Sequence, residues 1–258
     1  MNNKTIFITG AAAGIGRAAA LKFAQSGWFV GAYDLDTEGL ASLEREIGKE
    51  RCCRKKLDVT KPAQIEAALA QFEGRTGGRM DVLFNNAGVL FTGPFEEVPA
   101  AQNKLLVDVN VGGVLECSRQ AFPMLKATPG ARMISMCSAS ALYGIPDFAV
   151  YSATKHAVRA ITEALEIEWA RHDITVMDIM PPFVKTGMVA NTRPVPIIDN
   201  LGVKLTAHDV VEVLYRAATS DKPQTHWPVS REFTVLKNVS DVLPSTLLRR
   251  VMKRMSGY

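Results

Sequence analysis

An α/β fold with a parallel sheet of about seven strands, covered by helices on both faces, follows from three features of the sequence. Short apolar runs that read as strands alternate with helix-like segments along the chain. The first such pair is joined by a glycine-rich turn. No linker-like stretch, repeat or low-complexity segment interrupts the alternation.

The elements justify this in order. KTIFIT (4–9) is a buried strand, and the Ala-rich stretch from about Ile15 to Ser26 is the first helix. WFVGAYD (28–34) is the second strand, followed by the helix TEGLASLEREI (37–47) with Thr37 as the expected N-cap. RCCRKKLD (51–58) is the third strand, and Pro62 opens a helix whose apolar spacing runs through Phe72. VLFNNAG (82–88) ends a fourth strand in a polar turn, and two longer helices are expected between Pro99 and Leu125. RMISMCS (132–138) is the fifth strand, and a long helix opening at VYSATKHAV reaches about His172. ITVMDIM (174–180) and THWPVS (225–230) are the sixth strand and a short seventh. Residues 1–230 are therefore expected as one domain, with 231–258 as an amphipathic tail.

Composition narrows the function. The chain has 258 residues, 47% hydrophobic, enough for one large core. A net charge of +4, evenly spread, does not predict a nucleic-acid partner. Cys52, Cys53, Cys117 and Cys137 lack metal-ligand spacing, and no metal is expected. These cysteines read as reduced thiols, and the first strand begins too early for a targeting segment, so a cytoplasmic location is expected. No apolar run is long enough to span a bilayer.

The turn TGAAAGIG (9–16) carries Gly10, Gly14 and Gly16. Such glycines permit a tight turn, a close backbone approach to a pyrophosphate and close helix–strand packing. Ile15 sits with them at the helix N-terminus, where free N–H groups and the macrodipole favour an anion. Asp34 ends the second strand, where a carboxylate accepts hydrogen bonds from ribose hydroxyls and repels a 2′-phosphate. Compensating bases are missing beside it: Ala13 and Leu35 are neutral, and Arg17 points along the first helix. NAD(H) is therefore favoured over NADP(H), the alternative cofactor. Tyr151 and Lys155 lie one helical turn apart on a common face. A free phenol is a poor base near neutrality, and a nearby ammonium is expected to lower its pKa.

With these residues in order, the chain resembles the short-chain dehydrogenase/reductase family, of the single-domain type, over about residues 4–228. The resemblance rests on TGAAAGIG, Asp58-Val59, NNAG (85–88), Asn110 in VDVNVGG, Ser138, YSATK (151–155) and PPFVKT (181–186). It implies a Rossmann-type, doubly wound sheet and an NAD(P)-dependent oxidoreductase. It implies that Asp58 and Val59 hold the adenine. Asn86 and Ala87 would lie along the adenosine ribose, with Gly88 allowing close passage and Asn85 tying strands together. Val184 and Thr186 would contact the nicotinamide carboxamide. It implies that Tyr151 is the acid/base, that Lys155 is its electrostatic partner and ribose ligand, that Ser138 orients the substrate oxygen, and that Asn110 completes a proton relay. Pro181-Pro182 departs from the family's common Pro-Gly and is expected to reshape the floor beside the nicotinamide.

The implied reaction interconverts a secondary alcohol and a ketone. Ala139, Leu142, Phe148, Phe183 and Met188 are candidate walls, which suggests a lipophilic substrate under a mobile lid at 186–206. A non-catalytic nucleotide-binding regulator is the rival, and the intact Ser138–Tyr151–Lys155–Asn110 set speaks against it. A homodimer or homotetramer is implied, through the long helices bracketing the fifth strand. In the tail, Leu247, Leu248, Val251, Met252 and Met255 form an apolar stripe beside Arg249, Arg250, Lys253 and Arg254. Docking on the protein itself is favoured over weak contact with an anionic membrane surface.

Overall fold

The computed structural model describes residues 3–190, 192–240 and 245–257. The chain opens with β1 (Thr5–Thr9), α1 (Gly14–Gln25), β2 (Phe29–Asp34) and α2 (Thr37–Ile47). Thr37 is the first helical residue of α2 rather than its cap. Asp36 caps instead, its carboxylate accepting from the N–H groups of Glu38 and Gly39, both at 3.0 Å. A full negative charge at a helix N-terminus serves the macrodipole better than a hydroxyl.

Next come β3 (Cys52–Lys56), α3 (Pro62–Thr76) and β4 (Val82–Asn85). The two helices expected after β4 form one rod. α4 (Ala100–Val107) and α5 (Val114–Ala127) are joined without a break by a π-helical segment, Asp108–Gly113. The wider turn re-aims Asn110, and π segments of this kind mark sites where a side chain must be redirected. Gly113 ends it because a Cβ there would lie 2.6 Å from Cγ2 of Val59.

β5 (Arg132–Met136), α6 (Ala149–Ala170) and β6 (Thr175–Met180) follow, then β7 (Val184–Lys185), α7 (Gly187–Ala190), α8 (Pro196–Leu201) and β8 (Leu205–Thr206). The chain finishes with α9 (Ala207–Thr219), β9 (His226–Pro228), α10 (Arg231–Ser240) and α11 (Ser245–Ser256).

The main sheet has the order β3-β2-β1-β4-β5-β6-β9, with every pair parallel. This is the expected Rossmann-type doubly wound sheet. One face buries Phe23, Leu40, Leu43 and Leu214 from α1, α2 and α9. The other buries Ile65 and Phe72 from α3, Leu125 from α5 and Trp169 from α6. Each such side chain contributes about 1.5–3 kcal/mol through burial. Strand order reverses at β1 and β4, which opens a crevice at the carboxyl ends of these strands.

The segment expected as a lid is pinned at both ends. β7 and β8 form a second, two-stranded parallel sheet, a pairing that two residues per strand do not announce in sequence. The tail returns to the body. Phe233 of α10 is buried against Cys137, Val158 and Met180. α11 packs on α8, with Met252 and Met255 against a cluster of Phe148, Val195 and Ile197. The Asn200 side chain donates to the Met255 carbonyl at 2.8 Å. Leu243 and Pro244 of the tail lie outside the described residues.

Candidate active site

A cavity of about 430 Å³ runs along the carboxyl edge of the sheet, from Gly10 and Asp34 at one end to Tyr151 and Met188 at the other. The glycine turn builds the first end. Gly10 and Gly14 have φ of +69° and +53°, conformations that cost a Cβ-bearing residue strain. Gly16 is required by packing, because a Cβ there would meet the Gly10 carbonyl oxygen at 1.9 Å. Ala13 is the N-cap of α1 and offers no side-chain acceptor, and the first turn carries no acid. The leading N–H groups at Gly14, Ile15 and Gly16 are thus left to an anion.

Asp34 is fixed at this end by two backbone donors, Ala12 N–H at 2.9 Å and Asp36 N–H at 3.0 Å. Arg17 is committed elsewhere. Its guanidinium donates to Gly39 O at 3.2 Å and to Glu46 at 2.8 Å, so it offers no counter-charge beside Asp34. This donor set fits a dinucleotide: uncapped amides for the pyrophosphate and a carboxylate for the ribose hydroxyls.

Asn86 makes the tie expected of Asn85. The Asn86 side chain donates to the carbonyls of Thr9 and Gly10, both at 3.0 Å, and so ties β4 to the glycine turn. Asn85 reaches not a strand but α5, donating to Ser118 at 3.0 Å. Asn86, Ala87 and Gly88 line the cavity, as do Val184 and Thr186. Asp58, Val59, Gly16 and Asn110 are not among the residues that line it. Asp58 closes its own turn, accepting from Thr60 N–H at 2.9 Å and Thr60 O–H at 2.7 Å.

At the other end, Ser138 lies two residues past β5, as the cap of a short helical turn at Ala139–Ala141. Ser140 donates to its Oγ from both N–H (3.2 Å) and O–H (2.8 Å). The Ser138 proton is thereby left for the cavity, and Ser140 is a support for Ser138 that local sequence pattern does not announce. Tyr151 projects from α6 with its ring edge-on to Phe148, at a centroid distance of 6.3 Å. Burial pushes its phenol up to about 12, and a hydrogen bond with Ser138 works in the opposite direction.

The expected lowering by Lys155 is not realised in this geometry. Lys155 Nζ donates to the Met136 carbonyl at 2.8 Å and stands 5.6 Å from the Tyr151 ring centroid. Burial holds its ammonium below the usual lysine value. Asn110 is 1% exposed, and both its amide protons and its carbonyl oxygen are hydrogen-bonded. It accepts from Val89 N–H at 2.9 Å and donates to Val89 O at 3.0 Å and Thr154 Oγ1 at 3.3 Å. Its side chain thus clamps the loop after β4 to α6.

Of the expected walls, Ala139, Phe148, Phe183 and Met188 line the cavity, and Ile145, Leu90 and Val189 join them. Leu142 does not; it packs against the cluster around Val114 and Cys137 on the far side of the helical turn. Pro181 and Pro182 form part of the floor. Their trans bonds leave the Pro181 carbonyl free to accept from Ala139 N–H at 2.9 Å. Among the described residues no group of three or more His, Cys, Asp or Glu is placed to hold a metal.

The chain is similar to known proteins in sequence and in fold. The family model described as short chain dehydrogenase matches residues 4–196. The chain is 32% identical to a cyclohexanol dehydrogenase of Acinetobacter sp. over 194 residues, 73% of this chain and 76% of that protein. It is 31% identical to a meso-2,3-butanediol dehydrogenase of Serratia marcescens over 204 residues, 79% of this chain and 80% of that protein. A short chain dehydrogenase/reductase from Burkholderia phymatum, solved in complex with NAD, superposes with a TM-score of 0.82 at 26% identity, covering 92% of each chain.

Proposed function

The chain belongs to the short-chain dehydrogenase/reductase family, and on that premise we propose that it interconverts a secondary alcohol and a ketone of lipophilic character, using NAD(H). The observation that carries this reading is the joining of two halves in one cavity: a carboxylate and uncapped amides at one end, and Ser138 and Tyr151 among apolar walls at the other.

Bound NAD(H) supplies or accepts the hydride, and the protein's own residues do the rest. In the ketone direction, the Tyr151 phenol donates its proton to the carbonyl oxygen while the Ser138 hydroxyl orients that oxygen. A phenol near 12 is fully protonated at neutral pH, which suits the acid. In the alcohol direction Tyr151 must first lose that proton, so oxidation rises with pH. The Lys155 ammonium, turned from the Met136 carbonyl toward the phenol and the nicotinamide ribose, favours the phenolate. Since the Asn110 amide is spent on Val89 and Thr154, a relay through this residue runs by its main chain. Asp58 and Val59 back the adenine end, while Val184 and Thr186 serve the nicotinamide carboxamide.

Asp34 supports NAD(H) over NADP(H). Its replacement by Ala removes a charge-assisted interaction with the ribose hydroxyls that contributes about 1.5–3 kcal/mol in all. NADH affinity is expected to fall roughly 10–100-fold, with no compensating gain for NADPH, because Glu46 retains Arg17. Fluorescence titration with both nucleotides checks this; a wild-type protein that prefers NADPH would overturn the assignment.

Assembly as a homodimer or homotetramer through α5 and α6 is supported by Leu115, 47% exposed, and Ile167, 76% exposed. In α11, Met252 and Met255 serve the lid while Leu247 and Val251 face outward beside the four basic residues. A chain shortened to end at Asp241 is expected to show a several-fold higher KM and the same partitioning onto anionic vesicles as the full chain. Sedimentation of the full chain alone would assign this outer face to a membrane surface instead. No helix among the described residues is long and apolar enough to cross a membrane.

A further inference from the structure

A row of polar side chains crosses the sheet directly beneath α6, and the reaction as described does not use it. Parallel register places Ser135 of β5 beside Asp178 of β6, and Asp178 beside His226 of β9. In a parallel sheet, registered side chains share a face, and this face is covered by α6. Ser135 and Asp178 are both fully buried. His226 bridges outward: its Nδ1 lies 3.0 Å from the Asp178 carboxylate and its Nε2 lies 3.1 Å from Glu163 of α6. Glu163 is held in turn by Arg159 at 2.8 Å. The second Asp178 oxygen and the Ser135 hydroxyl are buried without a hydrogen-bond partner among the described residues.

Lys155 lies next to this row. Its ammonium is bonded to the carbonyl of Met136, the residue after Ser135, and its own carbonyl meets the Cys137 thiol at 3.4 Å. The groups acting on Asp178 are therefore Lys155, Arg159 and Glu163 from α6, Cys137 just after β5 and His226 from β9. Cys137 is held neutral by burial.

We propose that Asp178 is a positioning residue for the Lys155 ammonium, and that the proton shared with His226 sets how much negative charge lies beneath it. With His226 protonated, Asp178, His226, Glu163 and Arg159 sum to no net charge. When the pair releases its proton to solvent along the half-exposed Glu163 side, the sum becomes one negative charge. That charge favours the ammonium, which burial disfavours. Burial opposes the imidazolium, but the Asp178 carboxylate overrides it and raises His226 above its ordinary value, so the release falls on the alkaline side. Asp178 and His226 titrate as a pair, and the charge changes by one whichever group carries the proton. The device thus keeps Lys155 charged in the pH range where Tyr151 must serve as a base. This inference rests on the proposed role of Lys155.

The test is the pH titration of the Lys155 ε-carbon resonance in protein carrying isotopically labelled lysine, assigned by its loss in Lys155→Arg. In the wild type, a minor inflection from the His226 proton is expected beside the main one. Asp178→Asn keeps the shape and removes the charge; the Lys155 midpoint is expected to fall by roughly one pH unit. The alkaline limit of alcohol oxidation should fall with it. His226→Gln fixes the charge beneath Lys155, so the minor inflection should vanish while the midpoint stays at or above the wild-type value. The opposed responses exclude a merely structural effect. An unchanged midpoint in Asp178→Asn, or an equal fall in both variants, overturns the proposal. The catalytic reading fails separately, if Tyr151→Phe keeps its turnover, and the resonance reports on the row either way.

Discussion

Replacing Tyr151 with Phe is expected to leave NADH binding within a factor of about two and to lower turnover in both directions by roughly 10²–10⁴-fold, the usual contribution of a positioned general acid or base. The ring stays because its packing is apolar: Tyr151 sits in the cluster of Phe148, Phe183 and Ile145. Only the hydroxyl is lost, and with it the proton donor beside Ser138. Loss of affinity together with turnover would instead make Tyr151 a binding residue. Stopped-flow measurement of NADH binding beside steady-state ketone reduction separates the two. The residual rate of the variant should also lose the rise with pH expected for alcohol oxidation, since no phenol remains to ionise.

Gly16→Ala is expected to act by a different route. The new Cβ would meet the Gly10 carbonyl oxygen at 1.9 Å and the Asn86 amide at 2.7 Å. The first is backbone and cannot swing away, so α1 must shift against β1. Overpacking of this kind costs about 1–3 kcal/mol. The shift also breaks the seam that Asn86 makes to Thr9 and Gly10. Misplacing the leading amides of α1 should weaken NADH binding by roughly 100-fold, the penalty typical of an ångström-scale error in a positioning element. Gly74→Ala is the control. A Cβ at this position in α3 meets nothing within 4 Å, and Ala gains about 1 kcal/mol over Gly in a helix interior. Thermal melts and NADH titrations of the two variants should diverge in sign for stability. Equal melting temperatures and equal affinities would show that the turn yields where the packing says that it cannot.

Local pattern carried a large part of this reading. Buried strands such as 5–9 and 82–85 are short apolar runs, and Pro62 opens α3 where an N1 proline belongs. The spacing of Tyr151 and Lys155 is a property of one helix, so their common face was legible before any fold was known. The same holds for the glycines of the first turn, whose chemistry depends on neighbours within a few residues.

What the tertiary structure alone decided lies between elements distant in sequence. The polar row of Ser135, Asp178 and His226 exists only because register across three strands brings it together; in sequence, His226 has no partner at helical or strand spacing. Asn110 becomes a clamp because a π-helical segment turns it onto Val89, in the loop after β4. Leu142 leaves the cavity because a single helical turn after Ser138 swings it the other way. The Lys155 ammonium finds a backbone carbonyl because burial leaves it few acceptors. The sequence by itself determined the parallel sheet, the glycine turn and the common face of Tyr151 and Lys155, since periodicity and local sterics encode them. The charge beneath that pair, the supports of Ser138 and the docking of the tail were decided by strand order and packing, because long-range contacts leave no periodic trace in the chain.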